Sequence, residues 1–153
     1  MRVLIADKLP DQARVRLAAA GCEVRLVAGL EGESLSAELL DFDPDVLVVR
    51  STRVTAAHFA NGARLGLVVR AGAGVNTIDM PAASSAGVYI SNCPGKNADA
   101  VAELTIGLLV ACDRRIPDNV TDLRAGKWKK GEYSRASGLS GRTLGILGTG
   151  SIG

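Results

Sequence analysis

Short apolar runs recur along the chain, separated by stretches in which apolar positions return every three or four residues. Runs of this kind predict buried strands, and the longer spacing predicts helices. The runs at 3–6, 22–27, 45–49, 67–69 and 88–90 are the strand candidates. Between them, Pro10-Asp11 opens a helix over 13–20 that Gly21 stops, and residues 34–40 read as a second helix. Thr55 is placed to N-cap a third, ending near Asn61-Gly62, and residues 78–86 form a short fourth. Strands that are apolar throughout, alternating one by one with helices, predict a parallel sheet covered on both faces. The first 93 residues therefore read as a small, complete α/β unit of flavodoxin-like type.

After Pro94-Gly95 the character changes. Asn97 or Asp99 can cap a long helix running through Val101, Leu104, Leu108 and Leu109 to Arg114, which Pro117 interrupts before a further turn or two at 118–124. The polar, glycine-containing stretch GKWKKGEYSRASGLSGR, with the single Trp128, reads as a loop. An apolar run at 143–147 predicts one more strand, leading into the glycines Gly148, Gly150 and Gly153 of a G-x-G-x-x-G run. The expected division is a binding domain at 1–96, crossover helices at 97–125, and the opening of a second, nucleotide-binding domain at 126–153.

Composition adds limits. With 47% hydrophobic and 22% charged residues the chain is of ordinary globular type, and at 3% aromatic its core must be built from Val, Leu, Ile and Ala. A net charge of +2 gives no footprint for nucleic acid, and no apolar run is long enough to span a bilayer. MRVLIADKLPDQ does not have the form of a signal peptide. Cys22, Cys93 and Cys112 are widely spaced and odd in number, which reads as three reduced thiols with no metal site. A cytoplasmic location follows by elimination.

Ligands of open α/β sheets bind beyond the carboxyl ends of the strands, so Asp7, Arg50-Ser51 and residues 70–76 stand where a ligand is expected. Arg50 offers a planar fork to a carboxylate or phosphate, and Ser51 a hydroxyl and a backbone N–H; a surface arginine and a capping serine fit the same spacing. In RAGAGVN, Gly72 and Gly74 can let the backbone expose successive N–H groups as an anion nest, with Arg70 at the rim; a purely geometric turn is the alternative. Two arginines and a glycine-rich turn in one crevice suggest a small, doubly anionic ligand. His58, the only histidine, reads as a plain surface or half-buried residue, and Glu103 as a polar contact on the long helix. The basic residues between Arg114 and Lys130 read as a solvated face. No convincing general base can be assembled.

Taken in order, VVRSTRVT, VVRAGAGVNTID, ISNCPGKNADAVAELTIGLLVA, LRAGKWKK and LSGRTLGILGTGSIG resemble the successive motifs of the D-2-hydroxyacid dehydrogenases, most closely the branch that oxidises 3-phosphoglycerate. The resemblance covers essentially the whole chain. It implies a two-domain oxidoreductase with a cleft between a substrate domain and a Rossmann domain, NAD as cofactor, and a homo-oligomer, usually a dimer, when full length. It implies further that Arg50, Ser51, Arg70, Ala71, Gly72 and Asn97 meet a small anionic substrate, 3-phosphoglycerate or a related hydroxy acid. Ala73, Gly148, Gly150, Ser151, Ile152 and Gly153 would meet the cofactor, and Trp128 would belong to a dimer arm. Asn76 stands where the family more often has Asp, and Ala73 where Thr is common in that branch. The family's catalytic Arg, Glu and His are expected in segments beyond residue 153. The chain thus reads as a truncated dehydrogenase, inactive alone. Another member of the family, such as a glyoxylate or hydroxypyruvate reductase, or an NAD-sensing corepressor built on the same scaffold, remains open.

Overall fold

The computed structural model describes residues 1–153 and divides them into two compact units, Met1–Lys96 and Asn97–Gly153.

The first unit is an alternation of strands and helices: β1 (Arg2–Ile5), α1 (Asp11–Ala19), β2 (Glu23–Leu26), α2 (Gly32–Phe42), β3 (Val46–Val49), α3 (Ala56–Asn61), β4 (Leu67–Arg70), α4 (Met80–Ser85) and β5 (Tyr89–Ser91). The five strands form one parallel sheet in the order β2-β1-β3-β4-β5, the flavodoxin-like order. Because side chains alternate across a strand, the sheet has two apolar faces. On one, Leu4, Leu47, Val49 and Val68 meet Leu35, Leu39 and Phe42 of α2 and Phe59 of α3, all buried. On the other, Val3, Ile5 and Val46 pack with Leu17 of α1 and with Leu9, Val24 and Leu26. The spacing of Leu35, Leu39 and Phe42 is that of a single helical stripe, which is why α2 lies flat on the sheet.

The amino ends of the strands are closed by paired charges. Asp45 accepts the Arg2 backbone N–H at 2.7 Å and pairs with Arg64 at 2.8 Å. The Arg2 N–H bond and then the Arg64 contacts hold the Asp45 carboxyl below the ordinary aspartate range.

His58 departs from its expected place. It is buried, with 3% of its surface exposed, and occupies the third position of α3 behind the N-cap Thr55. The Thr55 backbone N–H donates to Nδ1 at 2.9 Å, so Nδ1 is the acceptor nitrogen. Nε2 then carries the proton and donates to the Gly32 carbonyl at 2.9 Å. The ring thus closes a capping box on α3 and ties it to the first turn of α2, where a glutamate or glutamine would ordinarily close the box alone.

The second unit contains α5 (Ala98–Asp113), α6 (Ile116–Arg124) and α7 (Lys130–Tyr133). Pro117 lies in the first turn of α6 and starts this helix, rather than interrupting an earlier one, because a helix's first turn has no use for the missing N–H. The break falls at Arg115, which adopts the left-handed conformation at φ 50° and pairs with Asp118 and Glu132, each at 3.1 Å. The stretch around Trp128 is not wholly a loop. α7 forms where Asp122 accepts the Tyr133 hydroxyl at 2.7 Å and pairs with Lys129 at 3.0 Å. Residues 143–147 form no strand, and Leu144, Ile146 and Leu147 are exposed. An apolar run becomes a strand only when another strand supplies its hydrogen bonds, and here none lies alongside. No helix is long and apolar enough to cross a membrane.

Candidate functional site

The carboxyl ends of β3 and β4 lie side by side: Val49 is the register partner of Arg70, and the Ala71 N–H donates to the Val49 carbonyl at 2.7 Å. The two segments that leave the sheet meet again at a parallel bridge between Val54 and Ile78. It is closed by bonds from the Val54 N–H to Thr77 and from the Asp79 N–H to Val54, each of 2.9 Å. Two neighbouring loops, 50–53 and 71–77, are therefore fastened at both ends.

The first loop wraps around Asp7, the second residue past β1. One carboxylate oxygen, Oδ2, accepts three consecutive backbone N–H groups: Arg50 at 2.6 Å, Ser51 at 3.0 Å and Thr52 at 3.0 Å. Partial burial pushes the Asp7 carboxyl up, but the bonds from Arg50, Thr52 and Ser51 together outweigh it and hold the group below the ordinary aspartate range. The buried Thr52 hydroxyl donates to the Leu30 carbonyl at 3.1 Å, fixing the far side of the turn. Ser51 therefore has only its exposed hydroxyl to offer, because its N–H is taken by Asp7. The Arg50 guanidinium is exposed and enters none of the chain's ion pairs; Arg53, exposed in the same turn, enters none either.

The second loop is held from three directions. Arg70 Nη1 reaches across its own turn to donate to the Gly74 carbonyl at 2.6 Å. Asn92, just past β5, donates from Nδ2 to Ala73 O at 2.7 Å, and the Cys93 N–H donates to Gly72 O at 2.9 Å. The Gly72 N–H turns back to Arg70 O at 2.8 Å, whereas the N–H groups of Ala73 and Gly74, and of Val75 to Thr77 after them, make no backbone bond. Neither Gly72 nor Gly74 has a positive φ. A Cβ on Gly72 would stand 3.1 Å from Arg70 Nη1, and one on Gly74 3.2 Å from Asn76 Oδ1, so a side chain at either place would press on the Arg70 and Asn76 side-chain ends that lie against the turn. Arg70 Nε is buried without a partner.

The structure thus brings Arg50, Ser51, Arg70, Ala71, Gly72 and Ala73 to one edge of the first unit. Asn97, Gly148, Gly150, Ser151, Ile152 and Gly153 belong to the other unit. Asn97 occupies the N-cap position of α5, although its side chain makes no capping bond. Gly148 has φ +94°, a conformation that strains any other residue, and a Cβ on Gly153 would run into the Gly148 carbonyl. The first and third glycines of the run are required by this turn, while Gly150 faces open space. Asp7 stands at the strand end where a ligand was expected, but the structure gives it a backbone to hold instead. Thr52, Arg53 and Asn92 were not among the expected site residues; Asn92 follows β5, and the rule that points beyond strand carboxyl ends reaches it too.

The profile of the D-isomer specific 2-hydroxyacid dehydrogenase family, catalytic domain, matches residues 3–148. The chain is 38% identical over its whole length to the D-3-phosphoglycerate dehydrogenase of Methanocaldococcus jannaschii, of which it spans 29%. It is 44% identical over 76% of its length to the hydroxypyruvate reductase of Thermotoga maritima, of which it spans 39%. Among solved structures, NAD+-bound 3-phosphoglycerate dehydrogenase of Entamoeba histolytica superimposes with a TM-score of 0.65 at 29% identity, over 72% of this chain and 38% of that one. With its parallel sheet, its paired loops at the strand ends and a family match running from the first strand to the first glycine of the terminal run, the chain belongs to the D-isomer specific 2-hydroxyacid dehydrogenases.

Proposed function

We propose that the chain carries the substrate-binding domain (1–96), the crossover helices (97–125) and the opening of the NAD-binding domain (126–153) of a 2-hydroxyacid dehydrogenase that oxidises 3-phosphoglycerate to 3-phosphohydroxypyruvate, at the head of serine biosynthesis. The observation that carries this reading is the contrast between the two ends of the sheet. At the amino ends, Arg2 and Arg64 are engaged with carboxylates. At the carboxyl ends, Arg50 projects from a turn fixed by Asp7 and enters no ion pair, next to a loop in which the Ala73 and Gly74 N–H groups are among those without a backbone acceptor. A bidentate guanidinium beside backbone donors suits a carboxylate, and Arg53 offers a second cation for a phosphate.

In this reading Arg50, Ser51 and the 71–74 turn bind and orient the substrate, with Arg70 shaping that turn. NAD, when bound, accepts the hydride that leaves C2 of the substrate as its hydroxyl proton goes to a base. The residues present fit one part of that cofactor: the tight turn at Gly148 and the bare approach at Gly150 suit a pyrophosphate, with Ser151, Ile152 and Gly153 beside it. The chain spans 29% of the phosphoglycerate dehydrogenase it matches, and in this reading the 153 residues alone bind substrate weakly and turn nothing over. In this reading the protein works in the cytoplasm as a homo-oligomer; the exposed apolar residues on α5 and α6 support the assembly.

The test is an amide NMR titration with 3-phosphoglycerate and, separately, glycerate. Shifts at Arg50, Ala73 and Gly74 with the phosphorylated ligand, larger than with glycerate, are expected. An unchanged, folded spectrum at millimolar ligand overturns the assignment of these loops. A hydroxypyruvate reductase is the second reading, favoured by Arg70: its engagement with Gly74 leaves it less suited to a second anion. Equal responses to the two ligands decide for it.

A further inference from the structure

Three successive backbone N–H groups converging on one point form an anion trap. At the end of β3 the trap is filled by the chain itself: Arg50, Ser51 and Thr52 all donate to Asp7 Oδ2. The bonds join residues more than forty positions apart in sequence and fasten the end of β1 to the turn after β3. We infer that Asp7 is a positioning residue for the substrate site, holding the 50–52 turn so that the Arg50 guanidinium is presented from a fixed backbone and the substrate's anion is left to side chains and to the Ala73 and Gly74 N–H groups. The inference rests on the substrate-binding reading given above.

Two other roles fit less well. A general base must accept a proton near neutral pH, and a carboxylate gripped by three N–H donors is a poor acceptor. A mere placeholder, displaced by the substrate's own carboxylate, would have to leave a partly enclosed position and abandon three charge-assisted bonds at once. With its charge spent on three donors, Asp7 also repels an incoming anion less than a free carboxylate at the same place would.

The experiment compares 3-phosphoglycerate binding to the unchanged chain and to Asp7→Asn, Arg50→Ala and Leu17→Ala. Leu17 packs on the opposite sheet face and serves as a control for simple loss of stability. Asp7→Asn keeps the shape but weakens the acceptor, and binding is expected to fall by about tenfold or more, as small displacements of a binding group do. Leu17→Ala is expected to lower the melting temperature without changing binding. Normal binding by Asp7→Asn with loss in Arg50→Ala overturns the positioning role alone. Normal binding by both overturns the substrate site beneath it. Should Asp7→Asn fail to fold, the unchanged chain decides: scalar couplings across the hydrogen bonds, from the three amide nitrogens to the Asp7 carboxyl carbon, are expected to persist when 3-phosphoglycerate saturates the site. Their disappearance on binding makes Asp7 a displaced placeholder and overturns the inference.

Discussion

Replacing His58 tests how the α2 and α3 ends are joined. The ring is buried, accepts the Thr55 N–H and donates to the Gly32 carbonyl. In His58→Ala the Thr55 N–H loses its acceptor, a capping loss of about 1 kcal/mol. Gly32 is exposed, so its carbonyl finds water and adds little. The emptied ring position adds a packing loss of about 2 kcal/mol, at the low end for a large-to-small change in a core. The sum is about 3 kcal/mol, which for a unit of this size lowers Tm by roughly 12–24 °C. His58→Gln separates the terms. Gln is a natural third residue of a capping box and keeps an acceptor for Thr55, so it should lose less than half as much. Urea unfolding followed by far-ultraviolet circular dichroism gives both values from the shift in midpoint at constant slope. A loss below about 0.5 kcal/mol in His58→Ala, the scale of a surface change, would mean that the ring neither caps α3 nor fills a packed site. An equal loss in the two variants would contradict the separation of the two terms.

Other consequences follow from the same geometry. The Asp122 carboxylate, by accepting the Tyr133 hydroxyl, pushes that phenol up to about 12. In a Tyr89→Phe background, ultraviolet titration should place its ionisation there, and Asp122→Asn should bring it back towards 10, the ordinary tyrosine value. Because the folded pKa is raised, the bond's contribution is complete below the ordinary value and is lost as pH rises through about 12. Asp7 behaves in the opposite sense. Its lowered pKa means that its contribution is present above the ordinary aspartate value and lost as pH falls through the folded one, so Asp7→Asn should flatten the acid limb of a stability profile. Gly62→Ala should destabilise by about 1–3 kcal/mol in urea unfolding, since the new Cβ would stand 2.8 Å from the Cβ of the buried Leu65, an atom that cannot swing aside.

The sheet was legible in the sequence because its signal is local: each strand is an unbroken apolar run, and each helix between them carries a start or a stop. The same rule misled at 143–147, where the run is apolar but a strand also needs a neighbour. His58 was misjudged because its two partners, Thr55 and Gly32, are visible as partners only once α2 and α3 are packed. Threonine three residues before histidine does match the spacing of a capping box, and that hint was available. α7 was hidden in a polar, glycine-containing stretch because Asp122, which holds Tyr133 and Lys129, lies on the preceding helix. At the site, Arg50 and the glycine-rich turn could be placed from strand ends. That Asp7 consumes the N–H groups of Arg50 and Ser51, and that Arg70 folds onto Gly74, are contacts of the folded backbone with no sequence signature.

The most direct measurement is a crystal structure of the chain soaked with 3-phosphoglycerate. The ligand's carboxylate is expected against the Arg50 guanidinium, with an oxygen within hydrogen-bond reach of the Ala73 or Gly74 N–H and Asp7 still bonded to the 50–52 turn. Ligand ordered elsewhere with these loops bare, for example in the hollow lined by Arg114, Arg115 and Arg135 of the second unit, would contradict the substrate-binding reading.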